Sequence, residues 1–523
     1  MNTFFPIPAA DAGSPAVAAV APGRAWWQTR TAALLFILLA SAPLLYPPIP
    51  PLVDLPGHMG RYRVELDLAH SPDLQRHYTF AWALIGNLGV DLLVIPFSKL
   101  LGLELAVKLI VACIPPLTVA GFLAVTREVH GRVPATALFA LPLAYNHAFH
   151  FGFVNFALSM ALCFLAFAVW LRLGRQGGWK LRAALFAPIG LALFVVHAFG
   201  WGSFCLLAFS SELARHWQGR AQWRAALAAA AGSCLVLALP LIPLLVWREQ
   251  GTGFTFERWF DLKFKLMWLG TIFRDHWRVV DLAFAMTLFL VLVQARSRPG
   301  MKFAPSLLAA SAFLGAAYML LPWAVMDSAH ADMRLAPYLV ATAILAISFR
   351  NPGGPEERRW AAAGAIFAGA FLLARTLSFG VAAQDQQRQF AALDRIPMGA
   401  RVLTLSGHSC QDGWALRRTG HFASMVIVRR NGFSNDQWIA PGLNLLGLHE
   451  TGIGPLDRDS SQLVAPVECA DDDFWSVERS LAAMPHDWFD YLWLIDAKPK
   501  DPRLLSRFDK VWQSGDSALY RLR

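Results

Sequence analysis

The chain has 523 residues, of which 56% are hydrophobic and only 16% are charged. Soluble globular proteins carry about 25% charged residues, so this composition excludes an ordinary soluble protein. The net charge of +10 comes from the part before residue 381, since residues 381–523 carry 16 Lys and Arg against 18 Asp and Glu. In that earlier part the basic residues flank apolar runs, which indicates membrane topology and no nucleic-acid partner.

The first residues are rich in Ala, Pro and Gly, and we predict that residues 1–30 form a cytoplasmic N-terminal segment. An apolar run at 32–46 follows. The segment Leu39-Ala-Ser-Ala42 resembles a signal-peptide cleavage site, which is the alternative interpretation. Because the stretch before the run is unusually long and further apolar runs follow it, we favour an uncleaved first transmembrane helix.

Apolar runs repeat through residue 380, and several reach the roughly 20 residues that a spanning helix requires. We therefore predict an α-helical polytopic membrane protein in which residues 31–380 form a transmembrane module of about 11 spans. Clusters of Arg and Lys mark the cytoplasmic side of such a module, and they lie at 172–182, 215–224, 296–302 and 350–359. The same rule sends these segments outside: 50–82, 146–152, 197–202, 248–277, 324–334 and the tail from 381.

Between residues 82 and 133 the charge pattern does not give a consistent alternation of inside and outside segments. Lys99 and Lys108 look internal, and so do Arg127 and Arg132, yet only one apolar run separates the two pairs. One run in this stretch must be short, broken or misassigned, so the span count is open by one or two.

The outer loop at 50–82 opens with the run Val53-Asp-Leu-Pro-Gly-His-Met-Gly-Arg-Tyr-Arg63. Pro56 suits the first turn of a helix. Apolar positions then recur at helical spacing: Met59, Tyr62, Leu66, Ala69. We predict an amphipathic helix at the membrane surface, with His58 and Arg61 on its polar face. Asp54 directly precedes this helix, and its structural interpretation is a helix cap, with the arginines as headgroup anchors.

Other polar residues fall on the same predicted side of the membrane. His147 and His150 lie in one turn, His197 lies within an apolar segment, and Asp332 and Arg334 precede a late span. Ionisable groups at membrane depth are costly and often functional. The structural interpretation stays open as well, because each His can be a bonded core residue and Asp332 can pair with Arg334.

Residues 381–523 are predicted to form a small α/β domain outside the membrane. The predicted elements are strands at 401–405, 425–428 and 491–495, a closing hairpin at 508–522, and helices at 384–395 and 474–484. Cys410 and Cys469 can form a disulfide if this domain is extracytoplasmic, and the sequence leaves that pairing open. The domain has neither a nucleotide-binding glycine pattern nor a nucleophile elbow.

This architecture resembles the GT-C superfamily of integral membrane glycosyltransferases, and the likeness covers nearly the whole chain. Its parts are a first span, an outer loop that opens with Asp54 and an amphipathic helix, many further spans, and an extracytoplasmic C-terminal domain. It is similar to bacterial members of the protein mannosyltransferase and aminoarabinose transferase groups. The resemblance implies a polyprenyl-phosphate sugar donor and Asp54 as catalytic base. Many members carry two acidic residues in this loop, whereas this chain has Asp-Leu-Pro-Gly-His; a divalent metal cofactor is left open and no metal site is predicted.

In the reaction that the resemblance implies, an acceptor hydroxyl attacks the anomeric carbon of the sugar. A carboxylate takes the hydroxyl proton, and cationic groups stabilise the departing phosphate. The candidates for binding substrate or lipid phosphate are His58, Arg61, Arg63, His147, His150, His197, Asp332 and Arg334. We expect these residues to converge with Asp54 around one outward-facing cavity.

The predicted function is a GT-C-like glycosyltransferase of the cell (inner) membrane that moves a sugar to an unknown extracytoplasmic acceptor. The alternative is a transporter or flippase of a lipid-linked or glycan substrate, whose broken helices would line a substrate path. The enzyme is favoured because the polar residues gather at one membrane face and because no paired internal repeat is evident. A third interpretation makes the C-terminal domain the working part, a binding or assembly domain on a degenerate membrane body.

Overall fold

The computed structural model describes residues 25–217, 222–250, 256–325, 329–410, 413–440, 444–485 and 487–523. Most of the predicted cytoplasmic segment 1–30 lies outside the described residues. The chain before residue 394 is mainly helical, and a mixed sheet lies in residues 394–523, which we call the C-terminal region.

The helical part has the following helices: α1 (Arg30–Leu39), α2 (Ala42–Leu45), α3 (Leu55–Asp67), α4 (Pro72–Gln75), α5 (Gly89–Leu101), α6 (Leu103–His130), α7 (Ala137–Ala140), α8 (His147–Phe151), α9 (Val154–Arg175), α10 (Trp179–Val196), α11 (Ala198–Trp217), α12 (Trp223–Cys234), α13 (Leu241–Gln250), α14 (Leu262–Gly270), α15 (Arg278–Ser297), α16 (Pro305–Leu320), α17 (Ala331–Leu345) and α18 (Pro355–Leu393). Its short strands are β1 (Tyr78–Phe80), β2 (Phe256–Glu257), β3 (Met301–Phe303), β4 (Ala324–Val325) and β5 (Ile347–Phe349).

Among the described residues, five helices are long and apolar enough to cross a membrane: α6, α9, α10, α15 and α18. Three shorter apolar segments accompany them: Arg30–Leu45, Trp223–Ala238 and Pro305–Leu320. Large apolar side chains point outward from these helices; Ile366 and Leu373 on α18 are 71% and 62% exposed. Such faces are unfavourable in water and suit contact with lipid. The chain is therefore a helical protein with several potential membrane spans, and the figure of about 11 stays a prediction.

The short strands and ion pairs connect segments that the charge pattern assigns to the same side. β3 pairs with β5, and Arg298 pairs with Glu356, so the basic clusters at 296–302 and 350–359 meet. At the other end, β2 pairs with β4, and β1 in the first outer loop pairs with β8 (Leu446–Leu448) of the C-terminal region. The basic clusters at 296–302 and 350–359 are thus in contact, as are pairs of segments that were predicted to lie outside.

Helix lengths and contacts explain why the predicted alternation of inside and outside segments failed between residues 82 and 133. α5 has only 13 residues, whereas α6 has 28. Glu104 at the start of α6 pairs with Arg429 of the C-terminal region, and Lys108 donates to the carbonyl of Leu45 at the end of the first apolar segment. Lys108 therefore lies at the same end as the C-terminal region, whereas the charge pattern predicted opposite sides of the membrane for the two. α5 is the short run.

The C-terminal region is built on a sheet with strand order β11-β12-β10-β6-β7, and β9 also pairs with β6. Its remaining elements are α19 (Met425–Arg430), α20 (Val477–Ala483), β6 (Arg401–Gly407), β7 (Phe433–Ser434), β9 (Leu463–Val464), β10 (Tyr491–Ile495), β11 (Phe508–Ser514) and β12 (Ser517–Leu522). β6 and β10 are parallel, whereas β10–β12 and β11–β12 are antiparallel. The predicted strands at 401–405 and 491–495 and the closing hairpin are confirmed. Cys410 and Cys469 form a disulfide, with their Cα atoms 5.8 Å apart.

Two predictions for this region need correction. The predicted strand 425–428 is part of helix α19; all four of its side chains are buried, and a short apolar run buried on every side carries no period that separates strand from helix. The predicted boundary at residue 381 lies inside α18, which runs through it without a break. No Pro follows Pro355 in this helix, and its polar end packs on the sheet, where Gln389 donates to Ser517 Oγ.

A buried ion network ties the helical part to the C-terminal region. Arg375 of α18 pairs with Asp275 and Asp281, and Arg418 of the C-terminal region also pairs with Asp275. The four side chains are at most 7% exposed. Arg418 also donates to the carbonyl of Pro51, in the loop that leads to α3. The network therefore fixes the C-terminal region against the first outer loop.

Candidate functional site

The backbone of Asp54 is held against the C-terminal end of α8. The Val53 and Asp54 amides donate to the carbonyls of His150 and Phe151, at 3.2 and 2.9 Å. Gly152 follows α8 with φ +105°, and a Cβ there would lie 2.7 Å from the Asp54 nitrogen. Only glycine combines this backbone conformation with such a close approach. The polar turn after residue 145 and the first outer loop therefore meet at Asp54.

The side chain of Asp54 makes no capping hydrogen bond to α3, although the residue occupies the N-cap position. The structural interpretation of Asp54 as a helix cap is therefore wrong. The carboxylate is 9% exposed, and its Oδ1 lies 3.8 Å from His421 Nε2. Burial raises the pKa of Asp54 to about 7, and the nearby Asp459 raises it too, while His421 and Arg334 act in the lowering direction.

His421 belongs to the C-terminal region and has three fixed neighbours. Its Nδ1 lies 3.0 Å from the backbone carbonyl of Asp436, its ring centroid lies 4.2 Å from that of Trp438, and its Nε2 lies 3.7 Å from Asp459 Oδ1. Burial lowers the pKa of His421, but Asp459, Asp54 and Asp436 outweigh burial and raise it overall. His421 was not among the predicted site residues, because no spacing pattern connects it with Asp54, which lies 367 positions earlier.

The first turn of α3 packs directly on this part of the C-terminal region. A Cβ on Gly57 would lie 2.6 Å from the Trp438 ring, and the His58 ring lies 5.1 Å from the same indole. Burial and the cation Arg61 lower the pKa of His58 well below its usual range. The predicted helix is thus confirmed, and the C-terminal region covers it. Its position at the membrane surface stays a prediction.

The Arg334 guanidinium of α17 is a second charged group near Asp54. It stacks on the ring of Phe153, with its central carbon 4.3 Å from the ring centroid, and it interacts electrostatically with Asp54, His197 and His330. Arg334 is 6% exposed. A cation held this way by aromatic rings is pre-oriented for an anionic group.

His330 interacts electrostatically with Arg334, and His147 interacts with His330. The rings of His147 and His330 lie 5.9 and 5.8 Å from the ring of Trp268, and the His330 ring is 5.3 Å from that of Trp323. Both ring nitrogens of His147 and Nδ1 of His330 have no hydrogen-bond partner within the described ranges. His147 is only 2% exposed. Buried polar atoms of this kind are costly unless a ligand or water satisfies them.

Four of the predicted site residues have other partners. Arg61 is paired with Asp91 at 2.7 Å, Arg63 with Asp67 at 2.6 Å, and Asp332 with Lys265 at 3.0 Å. Asp332 therefore does not pair with Arg334. The His150 Nδ1 lies 3.1 Å from the Arg274 carbonyl, and this ring faces the buried ion network around Asp275. His58, Arg334 and His421 lie near Asp54, and the last of these is an addition to the predicted set. His197 and the second addition, His330, interact electrostatically with Arg334, and His147 interacts with His330.

In the part of the chain that the structure describes, no group of three or more His, Cys, Asp and Glu side chains is arranged to hold a metal ion. Comparison with protein-family models and with curated proteins finds no match to this chain. The function must therefore be argued from the site itself.

Proposed function

We propose that this protein is a membrane glycosyltransferase of GT-C type. It transfers a sugar from a polyprenyl-phosphate donor to an extracytoplasmic acceptor, with Asp54 as the general base. The observation that carries the proposal is the buried carboxylate of Asp54, which caps no helix and interacts electrostatically with Arg334 of α17 and with His421 of the C-terminal region.

The proposed chemistry uses the charged groups around Asp54. The oxygen of an acceptor hydroxyl forms a bond to the anomeric carbon while its proton passes to the Asp54 carboxylate. The bond between the anomeric carbon and the phosphate oxygen breaks, and the electron pair leaves with the phosphate. Arg334, with His330 and His147 beside it, stabilises the departing anion. A base with a pKa of about 7 is half ionised at neutral pH, which suits general base catalysis.

The aromatic rings around these cations support a sugar-phosphate ligand. Trp268 and Trp323 flank His330, and they offer flat apolar faces to a sugar ring beside nitrogens that can donate to phosphate. A lipid-linked donor also explains why the site adjoins helices with lipid-facing exteriors. No soluble nucleotide-sugar domain is required for such a donor.

The location that we propose is the cell (inner) membrane, with multiple spans and the C-terminal region outside. The four basic clusters support that orientation. The Cys410–Cys469 disulfide supports it independently, because disulfides persist mainly in oxidising compartments. An extracytoplasmic site would meet acceptors of the cell envelope.

The test compares Asp54→Asn with Asp67→Asn in cells that otherwise lack the protein. Asp67 is on the same helix, is 38% exposed and pairs with Arg63, so its variant controls for a lost surface charge. We expect both variants to accumulate in the membrane, but only Asp54→Asn to lose transfer, by about 10²–10⁴-fold. The readout is the profile of surface glycans and lipid-linked sugars. An unchanged profile with Asp54→Asn would remove Asp54 as base and favour the transporter.

A further inference from the structure

We infer that the C-terminal region completes the reaction centre with a proton relay, in which His421 accepts the proton from Asp54 and passes it to Asp459. This inference rests on the proposed function, since it needs Asp54 to take a proton from the acceptor. It adds two residues that the first outer loop and the membrane part do not contain. It also gives the C-terminal region a chemical role besides a structural one.

The relay is defined by a single nitrogen. His421 Nε2 lies 3.8 Å from Asp54 Oδ1 and 3.7 Å from Asp459 Oδ1, so it faces both carboxylates. The other ring nitrogen is committed, because Nδ1 must carry a hydrogen in order to donate to the Asp436 carbonyl. In the neutral ring Nε2 is therefore the acceptor. Catalytic hydrogen bonds are often long without substrate and shorten in the reacting complex.

The surroundings hold the ring in this position. Trp438 packs on one side of the imidazole, and Gly57 brings α3 close against that indole. Asp436 is anchored in turn, since it accepts hydrogen bonds from the Ser424 amide and hydroxyl and from the Ser434 hydroxyl. Loss of orientation would therefore require several buried hydrogen bonds to break.

Exposure increases along the relay. The side chains of Asp54 and His421 are each 9% exposed, whereas that of Asp459 is 25% exposed. Asp459 lines a cavity of about 910 Å³ in the C-terminal region, and its Oδ1 also accepts from Gln462 Nε2 at 2.8 Å. Asp472, which is 96% exposed, lines the same cavity, so the cavity reaches solvent. A proton on Asp459 can therefore leave to water.

The proton count balances in three steps. Asp54 becomes a neutral carboxylic acid when it takes the hydroxyl proton. The proton then moves to His421 Nε2, which regenerates the Asp54 carboxylate and forms an imidazolium that still holds its Nδ1 hydrogen. The same Nε2 hydrogen moves to Asp459, which releases it to water. Among the described residues, the carboxylates of Asp54, Asp436 and Asp459 face His421 and raise its pKa, and the His58 ring also interacts with it electrostatically.

The first experiment uses His421→Ala, with His70→Ala as the control, because His70 is exposed and lies outside the relay. Membranes that contain the full-length protein are isolated after their lipid-linked sugars have been labelled with a radioactive precursor. The rate at which label leaves the lipid fraction is then measured with and without added imidazole. We expect a loss of about 10²-fold for His421→Ala, no change for the control, and partial recovery with imidazole. Full activity without His421, or a loss that imidazole does not reverse in a variant that accumulates to the wild-type level, would overturn the relay.

A second experiment covers the case in which His421→Ala fails to fold. Asp459→Asn is compared with Asp472→Asn, which removes an exposed carboxylate from the same cavity. We expect only Asp459→Asn to slow transfer, by about 10-fold or more, and to show a stronger dependence on the concentration of small buffers that replace the relay. Equal rates in the two variants would refute the role of Asp459.

A third measurement does not depend on transfer. The infrared carbonyl band of protonated Asp54 is identified by difference from Asp54→Asn and titrated in the purified protein. Asp459→Asn should shift that titration to lower pH and His421→Gln to higher pH, since Asp459 raises and His421 lowers the pKa of Asp54. An unchanged pKa of Asp54 in both variants would refute the proposed arrangement of Asp54, His421 and Asp459. If the shifts occur but Asp54→Asn transfers normally, the proposed function fails and the relay with it; if Asp54→Asn is inactive while His421→Gln transfers normally, only the relay fails.

Discussion

Replacing Asp54 with Asn should change stability and transfer activity in opposite directions. Asp54 makes no capping hydrogen bond, so the amide loses no backbone interaction that the carboxylate made. It does remove a buried negative charge whose burial raises the pKa of Asp54 from 3.8 to about 7. Ionisation of Asp54 therefore destabilises the folded protein, which is not expected of a carboxylate whose role is only structural.

The size of the effect follows from the pKa shift. Each unit corresponds to about 1.4 kcal/mol, so the interval from 3.8 to about 7 amounts to about 4 kcal/mol. Because the folded pKa of Asp54 is raised, its contribution to stability is present below pH 3.8 and is lost as the pH rises through about 7. Asn does not titrate. The stability of Asp54→Asn relative to the wild type should therefore increase over that interval, by up to about 4 kcal/mol.

The assay is unfolding of the purified full-length protein in detergent, followed by tryptophan fluorescence at about pH 5 and about pH 8. We expect the midpoint of Asp54→Asn minus that of the wild type to be more positive at the higher pH. The same variant should be inactive in transfer. A variant that is less stable than the wild type by the same amount at both pH values would refute this reasoning, since that result belongs to a lost structural contact.

Three further predictions concern the surroundings of the site. Arg375→Ala leaves carboxylates buried without their partner in the ion network and should reduce the free energy of unfolding by about 3–5 kcal/mol. Arg388→Ala, on the exposed face of the same helix, should reduce it by at most about 1 kcal/mol. Equal midpoints of the two variants in thermal unfolding would contradict this prediction. Gly57→Ala places a methyl group 2.6 Å from the Trp438 ring and should slow transfer at unchanged protein level, which a wild-type rate would disprove. Asp472→Cys, with the four free cysteines replaced, should react with an impermeant thiol reagent in intact cells, because this side chain is 96% exposed; labelling only after permeabilisation would reverse the orientation.

The sequence predicted most of the features that have a local signal. The helix after Asp54 follows from Pro56 and the apolar spacing, and the hairpin at 508–522 follows from its turn residues. The failures have a common cause. The charge pattern placed Lys108 on the side opposite the C-terminal region because its partner, the Leu45 carbonyl, lies on another segment, and nothing local indicates that contact.

The site itself was only partly predictable for the same reason. Asp54 and Arg334 were candidates because ionisable residues stand out against apolar sequence. His421 and Asp459 lie in a polar region where such residues are ordinary, and only the chain fold brings His421 within 4 Å of both Asp54 and Asp459. Arg61 and Asp332 were candidates on the same grounds as Arg334, but each has a buried partner that spacing alone does not reveal.

The continuity of α18 has a mechanical consequence. Its 39 residues make a helix about 58 Å long, roughly twice the hydrocarbon thickness of a bilayer, which is about 30 Å. The part of α18 that extends beyond the bilayer holds the sheet of the C-terminal region at a fixed distance along the helix axis, and no break interrupts this helix. A membrane of different thickness would therefore tilt the molecule as one piece, since helices accommodate such mismatch by tilting. The contact between α3 and the C-terminal region near Asp54 would keep its internal geometry and change only its angle to the membrane surface.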